Sequence, residues 1–241
     1  MKLSIIIPAF NESLSLPGTV KTIFTAFSNS DIDYEILVVN DNSTDGSLEV
    51  LDALSKETKN FRYITNKGPN GFGNAIKTGL DNYTGECVAL MMADLSDSPH
   101  DLINFYHEMV SKDLDCVFGS RFTKHSLLVD YPPFKKLVNR IVNQSINILF
   151  NIKYNDVTNA FKLYKRSTIE GVQPLLSAHF NLTMELPLKV IIKGYQYTVL
   201  PNSWTNRKLG ESKLNLKKMA GLYFKTFILC LKEKYYLQKS F

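Results

Sequence analysis

The sequence predicts an α/β fold, a mostly parallel, doubly wound sheet with helices on both faces and an amphipathic helix at the C-terminal end. Three observations carry this. Short β-branched, apolar runs alternate with helical stretches in the order strand, helix, strand, helix through the first half of the chain. The connectors between them are short, which suits parallel strands joined by crossover helices. The runs are also apolar throughout rather than alternating, as strands covered on both faces must be.

Residues 3–7 are the first strand, a β-branched run stopped by Pro8. Residues 9–13 turn the chain, and Ser13 or Ser15 caps a helix running to about residue 28. Residues 34–39 form the second strand. The polar cluster 40–47 that follows supplies Ser and Asp caps for a helix over about 47–55. Residues 61–65 make a short third strand. The glycine-rich loop 66–73 then leads into a helix over about 74–82. That loop has neither GxGxxG spacing nor a GKS/T ending, which excludes a dinucleotide fingerprint and a Walker loop. Residues 87–92 are the central strand. It stops abruptly at Asp94, with Asp97 three residues on and Pro99 closing the turn.

The second half is less regular. Residues 102–111 read as a helix and 116–122 as a strand running into Arg121. Residues 134–150 place apolar side chains at 137, 138, 141, 142, 146, 149 and 150, the spacing of an amphipathic helix. Residues 156–161 are a polar turn, 180–192 a helix and 196–199 a strand. The segment 216–237 mixes apolar residues with five lysines. A helix of that kind either lies on a bilayer surface or packs on its own domain. The expected organisation is a catalytic domain over 1–215 with a basic amphipathic helix over 216–241.

Composition narrows the class. With 44% hydrophobic and 21% charged residues among 241, the chain has ample material for a core. Cys87, Cys116 and Cys230 lack any CxxC spacing and read as reduced thiols. The apolar part of the N-terminus is too short for a signal peptide, and no run approaches about 18 apolar residues. The expectation is a cytoplasmic protein, peripheral on the cytoplasmic face of a membrane. The net charge of +5 is concentrated in residues 201–241, where nine Lys or Arg stand against two Asp or Glu. Such a tail suits phosphate groups, an anionic membrane surface or nucleic acid. Nucleic acid is disfavoured because there is no RNP, KH or helix-turn-helix signature and the acidic strand ends would repel its phosphates.

Glu12, Asp41 and Asp94 follow three strands that share one edge in a parallel sheet, where ligands of open α/β sheets bind. They are either solvated turn acids or a site. The motifs decide in favour of a site: Ile6-Ile-Pro-Ala-Phe-Asn-Glu12, Asn40-Asp-Asn-Ser-Thr-Asp-Gly-Ser47, Asn70-Gly-Phe-Gly-Asn-Ala75 and Ala93-Asp-Leu-Ser96 resemble family 2 glycosyltransferases of the GT-A fold. Gly119-Ser-Arg-Phe122, Asp156-Val-Thr-Asn-Ala-Phe161 and Asn206-Arg-Lys-Leu-Gly-Glu-Ser-Lys213 resemble the dolichyl-phosphate or polyprenyl-phosphate mannosyltransferase branch. The resemblance spans roughly residues 3–215.

The resemblance implies roles. Pro8, Phe10, Glu12, Val39 and Asp41 would line the nucleoside pocket of a nucleotide-diphosphate sugar donor, Asp41 reading the base edge and Glu12 the ribose. Ala93 and Asp94 would lie against the diphosphate, with Asp94 and Ser96 as ligands of Mg2+ or Mn2+. Arg121, Arg207 and Lys213 match positions that gather cations around donor and acceptor phosphates. Glu185 and Asp156 are candidates for a base or for organising the site, or else a cap on a basic cluster and a turn residue. The sequence departs from the family at Met92, where the usual Asp-x-Asp has its first acid; Met supplies no oxygen ligand, which leaves metal dependence open. Asn40 likewise precedes Asp41 where an acidic pair is usual, which leaves GDP or UDP open.

The reaction implied is an inverting transfer of a hexose, mannose or glucose, onto a lipid phosphate acceptor. Thr183 stands where hydroxyl-glycosylating relatives often carry an acid, which favours a phosphate acceptor. Two competing expectations are transfer to a saccharide hydroxyl in surface-polysaccharide assembly, and a non-catalytic nucleotide-sugar-binding homologue. The helix over 134–150 and the basic tail would provide lipid access by peripheral membrane contact.

Overall fold

The computed structural model describes residues 1–207, 209 and 216–239 of the chain. Seven strands form the main sheet: β1 (Leu3–Ala9), β2 (Tyr34–Asn40), β3 (Phe61–Thr65), β4 (Cys87–Leu90), β5 (Cys116–Ser120), β7 (Lys162–Lys165) and β8 (Tyr197–Pro201). Their spatial order is β3-β2-β1-β4-β7-β5-β8. The strands β3, β2, β1 and β4 are mutually parallel, as are β5 and β8. The chain builds outward from β1 to β3, then returns to place β4 on the other side of β1. That reversal makes the carboxyl ends of β1 and β4 a topological switch point, the place where open α/β sheets bind their ligands.

β7 runs antiparallel to both neighbours, with Lys162 paired to Leu90 of β4 and to Phe118 of β5. Neither it nor the short helix α6 (Arg166–Gly171) is anticipated by the sequence reading. The inversion matters for the site. A parallel strand presents the residues after it at the carboxyl edge, whereas an inserted antiparallel strand presents the residues before it. Asp156 and Asn159 therefore arrive at the same edge as Asp94 and Arg121.

The helices are α1 (Leu16–Phe27), α2 (Ser47–Glu57), α3 (Phe72–Leu80), α4 (Pro99–Ser111), α5 (Pro133–Phe150), α7 (Leu182–Ile192) and α8 (Leu216–Lys239). Strand side chains alternate between the faces. Ile5, Ile7, Ile36 and Val38 pack with Val20, Ile23, Leu51 and Phe105, while Ile6, Leu37, Val39 and Val88 pack with Ile76, Ile146, Leu186 and Val190. Both faces are thus covered, which is why the strands read as continuous apolar runs. Proline at the start of α4 and α5 sets φ for the first turn, where no N–H partner is lost.

The glycines of loop 66–73 serve close packing. A Cβ on Gly73 would lie 2.5 Å from the Ser177 carbonyl oxygen, so only glycine lets α3 start against the 177–179 backbone. α8 packs against α7, burying Met219, Thr226 and Cys230. β6 (Leu128–Val129) and β9 (Trp204–Thr205) pair in a small second sheet. No helix among the described residues is long and apolar enough to cross a membrane.

Candidate active site

Each of the three acids sits beside a residue in the left-handed backbone region: Asn11 (φ 53°), Asn42 (φ 57°) and Leu95 (φ 61°). Asparagine tolerates that region, but for leucine it is a strained conformation of the kind concentrated at functional loops. The Asn11 and Glu12 N–H groups donate to the hydroxyls of Ser43 and Ser47, and the Ser13 N–H to Asp45. The loops after β1 and β2 are therefore locked together. Ser15 stands at the N-cap of α1 but does not cap it with its side chain; its hydroxyl donates to the Glu12 carboxylate at 2.8 Å.

Asp41 is buried. Its two oxygens accept from Asn66 Nδ2 and the Gly71 N–H, both at 2.7 Å, so it anchors the glycine loop from within. Val39 is fully buried under α3, and a Cβ on Gly79 would touch it, so its side chain is part of the core. Pro8 and Phe10 are half-buried at the strand edge. Ala93 is buried, and its carbonyl accepts from Thr19 Oγ1 at 2.8 Å.

β4 ends two residues earlier than expected because the turn begins at once. The Met92 N–H points to the Asp97 carboxylate at 3.4 Å and Leu95 reverses the chain. Asp94 Oδ1 accepts the Ser96 N–H at 3.1 Å, while its Oδ2 lies 3.5 Å from Arg207 Nε. Arg207 Nη2 donates to both Glu12 oxygens at 2.7 Å. Arg207 reaches this place because the Ser203 N–H donates to Asp101 and the Thr205 N–H to the Ser96 carbonyl. Asp97 turns inward. Burial, helped by the charge of Asp94, raises its carboxyl to about 7.

Beyond Asp94 the site becomes cationic. Arg121 follows β5 and is clamped by Asp156: its N–H, Nε and Nη2 reach the carboxylate at 2.9, 2.8 and 2.8 Å. Both partners are buried. Burial opposes the charge of Arg121, but Asp156 overcomes it and raises its pKa. Phe122 and Tyr131 flank the guanidinium at 5.7 and 5.6 Å. Beneath this pair Lys162 is fully buried, donating to the Val157 carbonyl at 3.0 Å, and burial pushes its ammonium down to about 7. Asn159 Nδ2 donates to the Gly119 carbonyl and to Asn202, fastening the loop before β7 to the end of β5.

Lys135, in the first turn of α5, completes the group. Its ammonium lies over Tyr131 and Trp204 at 5.7 and 5.5 Å. Its pKa is lowered, first by burial and then by Arg121, with Asp94 acting in the opposite sense. The sequence reading missed it, although a signal was there: Lys135, Asn139, Val142 and Ile146 recur on one helix face. A cation and an amide on a packed face ask for a partner.

Glu185 does not stand as a free base. Its oxygens accept the Leu176 and Ser177 N–H groups at 2.8 and 2.7 Å, and Lys189 lies 3.6 Å away. It is buried and holds the loop before α7 through those two N–H groups. Lys213 lies outside the described residues.

Among the described residues no three His, Cys, Asp or Glu side chains converge in a way that could hold a metal. Asp94 and the Ser96 hydroxyl are hard oxygen donors, and a cationic guanidinium already lies against Asp94. These residues fit a divalent ion delivered with phosphate oxygens rather than one held in a protein cage, since Mg2+ is commonly bound by one or two carboxylates plus substrate phosphates.

The comparisons concern the family and the fold. Residues 4–172 match the family model described as Glycosyl transferase family 2. The undecaprenyl-phosphate 4-deoxy-4-formamido-L-arabinose transferase of Sodalis glossinidius (strain morsitans) is 28% identical over 231 residues, covering 95% of this chain and 68% of that protein. The dolichol-phosphate mannosyltransferase of Mycosarcoma maydis is 28% identical over 221 residues, covering 90% and 74%. Among solved structures, glucosyl-3-phosphoglycerate synthase from Mycobacterium tuberculosis in complex with Mn2+, UDP-glucose and phosphoglyceric acid superposes with a TM-score of 0.74 at 13% identity, covering 96% of this chain and 80% of that one. The expected GT-A fold is the observed one.

Proposed function

The chain belongs to glycosyl transferase family 2, and on that premise we propose that it moves a hexose, mannose or glucose, from a nucleotide-diphosphate sugar to a polyprenyl phosphate with inversion at the anomeric carbon. One observation carries the choice of acceptor. The two carboxylates considered as bases for a hydroxyl acceptor, Asp156 and Glu185, have both oxygens engaged by the protein itself, while Arg121 and Lys135 gather positive charge on the Asp94 side of the site. A phosphate monoester is anionic at neutral pH and needs no base. What it needs is cations to offset its repulsion from the donor diphosphate.

In this reading the donor lies across the switch point between β1 and β4, its nucleoside toward Pro8, Phe10, Glu12 and Asp41. The diphosphate lies toward Ala93, Asp94 and Arg207. A phosphate oxygen of the acceptor attacks the anomeric carbon as the bond to the diphosphate oxygen breaks on the opposite face. Arg121 and Lys135 orient the attacking phosphate, and Asp156 holds the Arg121 fork in place. A divalent ion, held by Asp94 and Ser96, would supply Lewis-acid stabilisation of the leaving diphosphate.

The lipid part of the reading is supported by α5. Phe134, Leu137, Ile141 and Ile148 are all exposed and recur along its outward side, starting at the turn that carries Lys135. An exposed apolar stripe of this length suits a lipid surface. Peripheral contact with the cytoplasmic leaflet would bring the polyprenyl phosphate to the cationic end of the site.

The test is a transfer assay with radiolabelled GDP-mannose, UDP-glucose and UDP-GlcNAc against undecaprenyl or dolichyl phosphate in detergent, with Mn2+, Mg2+ or EDTA. A labelled organic-phase product is expected with a hexose donor. Nucleotide binding without lipid product would overturn the acceptor assignment.

A further inference from the structure

Glu12 and Asp94 come from loops after different strands, yet one guanidinium joins them. Arg207 Nη2 lies 2.7 Å from each Glu12 oxygen and its Nε 3.5 Å from Asp94 Oδ2. All three side chains are between 11% and 14% exposed. Two carboxylates at such depth repel each other, and the chain's own cation neutralises them. In the donor-site reading Asp94 is also the acid beside the diphosphate, and the Met92 side chain contributes no oxygen there. Any divalent ion reaching Asp94 therefore meets the positive charge of Arg207, with no second aspartate at position 92 to help offset it.

We propose that Arg207 and the divalent cation compete for Asp94: Arg207 bridges Glu12 and Asp94 in the ligand-free protein, and the donor diphosphate draws it away. Arg207 is then an exchangeable countercharge. It weakens metal binding when no nucleotide is present and strengthens nucleotide binding when one arrives. The two effects have opposite sign because a guanidinium repels the metal and attracts the diphosphate. A bidentate grip on diphosphate oxygens would compensate Arg207 for the contacts it leaves. The inference rests on the donor-site reading and not on the acceptor.

The experiment is Mn2+ binding followed by electron paramagnetic resonance, with GDP and UDP binding measured separately by calorimetry in EDTA. Wild type, Arg207→Met, Arg207→Gln and Arg207→Lys are compared after thermal unfolding confirms their fold. Both neutral variants are expected to bind Mn2+ alone about tenfold more tightly than wild type. Their affinity for the tighter-binding nucleotide is expected to fall by a similar factor, and Arg207→Lys should keep Mn2+ affinity near wild type. Arg207→Gln retains a donor toward Glu12 and serves if Arg207→Met fails to fold. A merely structural arginine, pinning two loops, would weaken Mn2+ and nucleotide together, and that result overturns the proposal. Unchanged Mn2+ affinity in both neutral variants, or no measurable Mn2+ binding in any protein, overturns it as well. None of these titrations uses sugar or lipid, so their failure leaves the transfer reaction standing, and a failed transfer assay leaves the competition measurable.

Discussion

Replacing Asp156 by alanine removes the carboxylate that holds Arg121. The pair is buried, with three hydrogen bonds at 2.8–2.9 Å, and Arg121 would be left charged between Phe122 and Tyr131 without its ion-pair partner. Lys162, buried below, would lose the same electrostatic partner. Breaking a buried ion pair from one side costs about 3–5 kcal/mol. At roughly 2–4 °C per kcal/mol for a domain of this size, Asp156→Ala should lower Tm by about 6–20 °C. Urea unfolding can be followed by the fluorescence of Trp204, the only tryptophan, whose ring lies 4.8 Å from Tyr131 in the same cluster. The double variant Arg121→Met/Asp156→Ala removes both charges. It should be about 2 kcal/mol more stable than the sum of the single losses predicts. A loss below about 1 kcal/mol for Asp156→Ala, or a strictly additive cycle, would refute the view that this pair is a desolvated clamp.

Other perturbations have equally defined outcomes. Asp94→Ala should cut transfer by at least about a hundredfold, as removal of a preorganised electrostatic group does, while the unfolding midpoint moves little; retained turnover would reject its place at the diphosphate. Lys135→Ala should raise KM for the lipid phosphate with little change in KM for the donor, and an equal rise in both would detach it from the acceptor. Gly73→Ala forces a Cβ to within 2.5 Å of the Ser177 carbonyl oxygen and should cost about 3 kcal/mol in urea unfolding; a neutral result would mean that α3 can slide. Glu35 gives a pH dependence. Burial alone would raise its carboxyl, but hydrogen bonds from Arg62, Ser4 and Thr84 overcome this and hold it down at about 2. Because the folded pKa is depressed, its stabilisation is present above about pH 4.5 and is lost as pH falls toward 2. The amount is on the order of 2–3 kcal/mol. Glu35→Gln should flatten the stability profile in that window, and identical acid slopes in the two proteins would contradict the assignment.

The parallel half of the sheet was readable in the chain because burial on both faces leaves an uninterrupted apolar run, and because each run ends where a polar loop begins. The same local logic located Glu12, Asp41 and Asp94 at one edge. The amphipathic spacing located α5 within one residue of its start. The apolar run extends two residues past the end of β4, because Met91 and Met92 are as apolar as the strand and only the Met92–Asp97 contact shows where it stops. β7 escaped notice because a strand of four residues after a polar turn carries little pattern of its own.

What the sequence determined by itself is the family, the fold and the set of acids along the strand ends, since each is written in contiguous residues. What only the tertiary structure decided is how the charges are spent. Asp156 and Glu185 look alike as candidate bases in the chain, yet one clamps Arg121 and the other caps backbone N–H groups. Lys135 became part of the site by facing Arg121 and Asp94 across the fold. Arg207 meets Glu12 across 195 positions of sequence. A carboxylate's chemistry depends on which donors reach it within about 3 Å, and those donors come from wherever the fold brings them rather than from its neighbours in sequence.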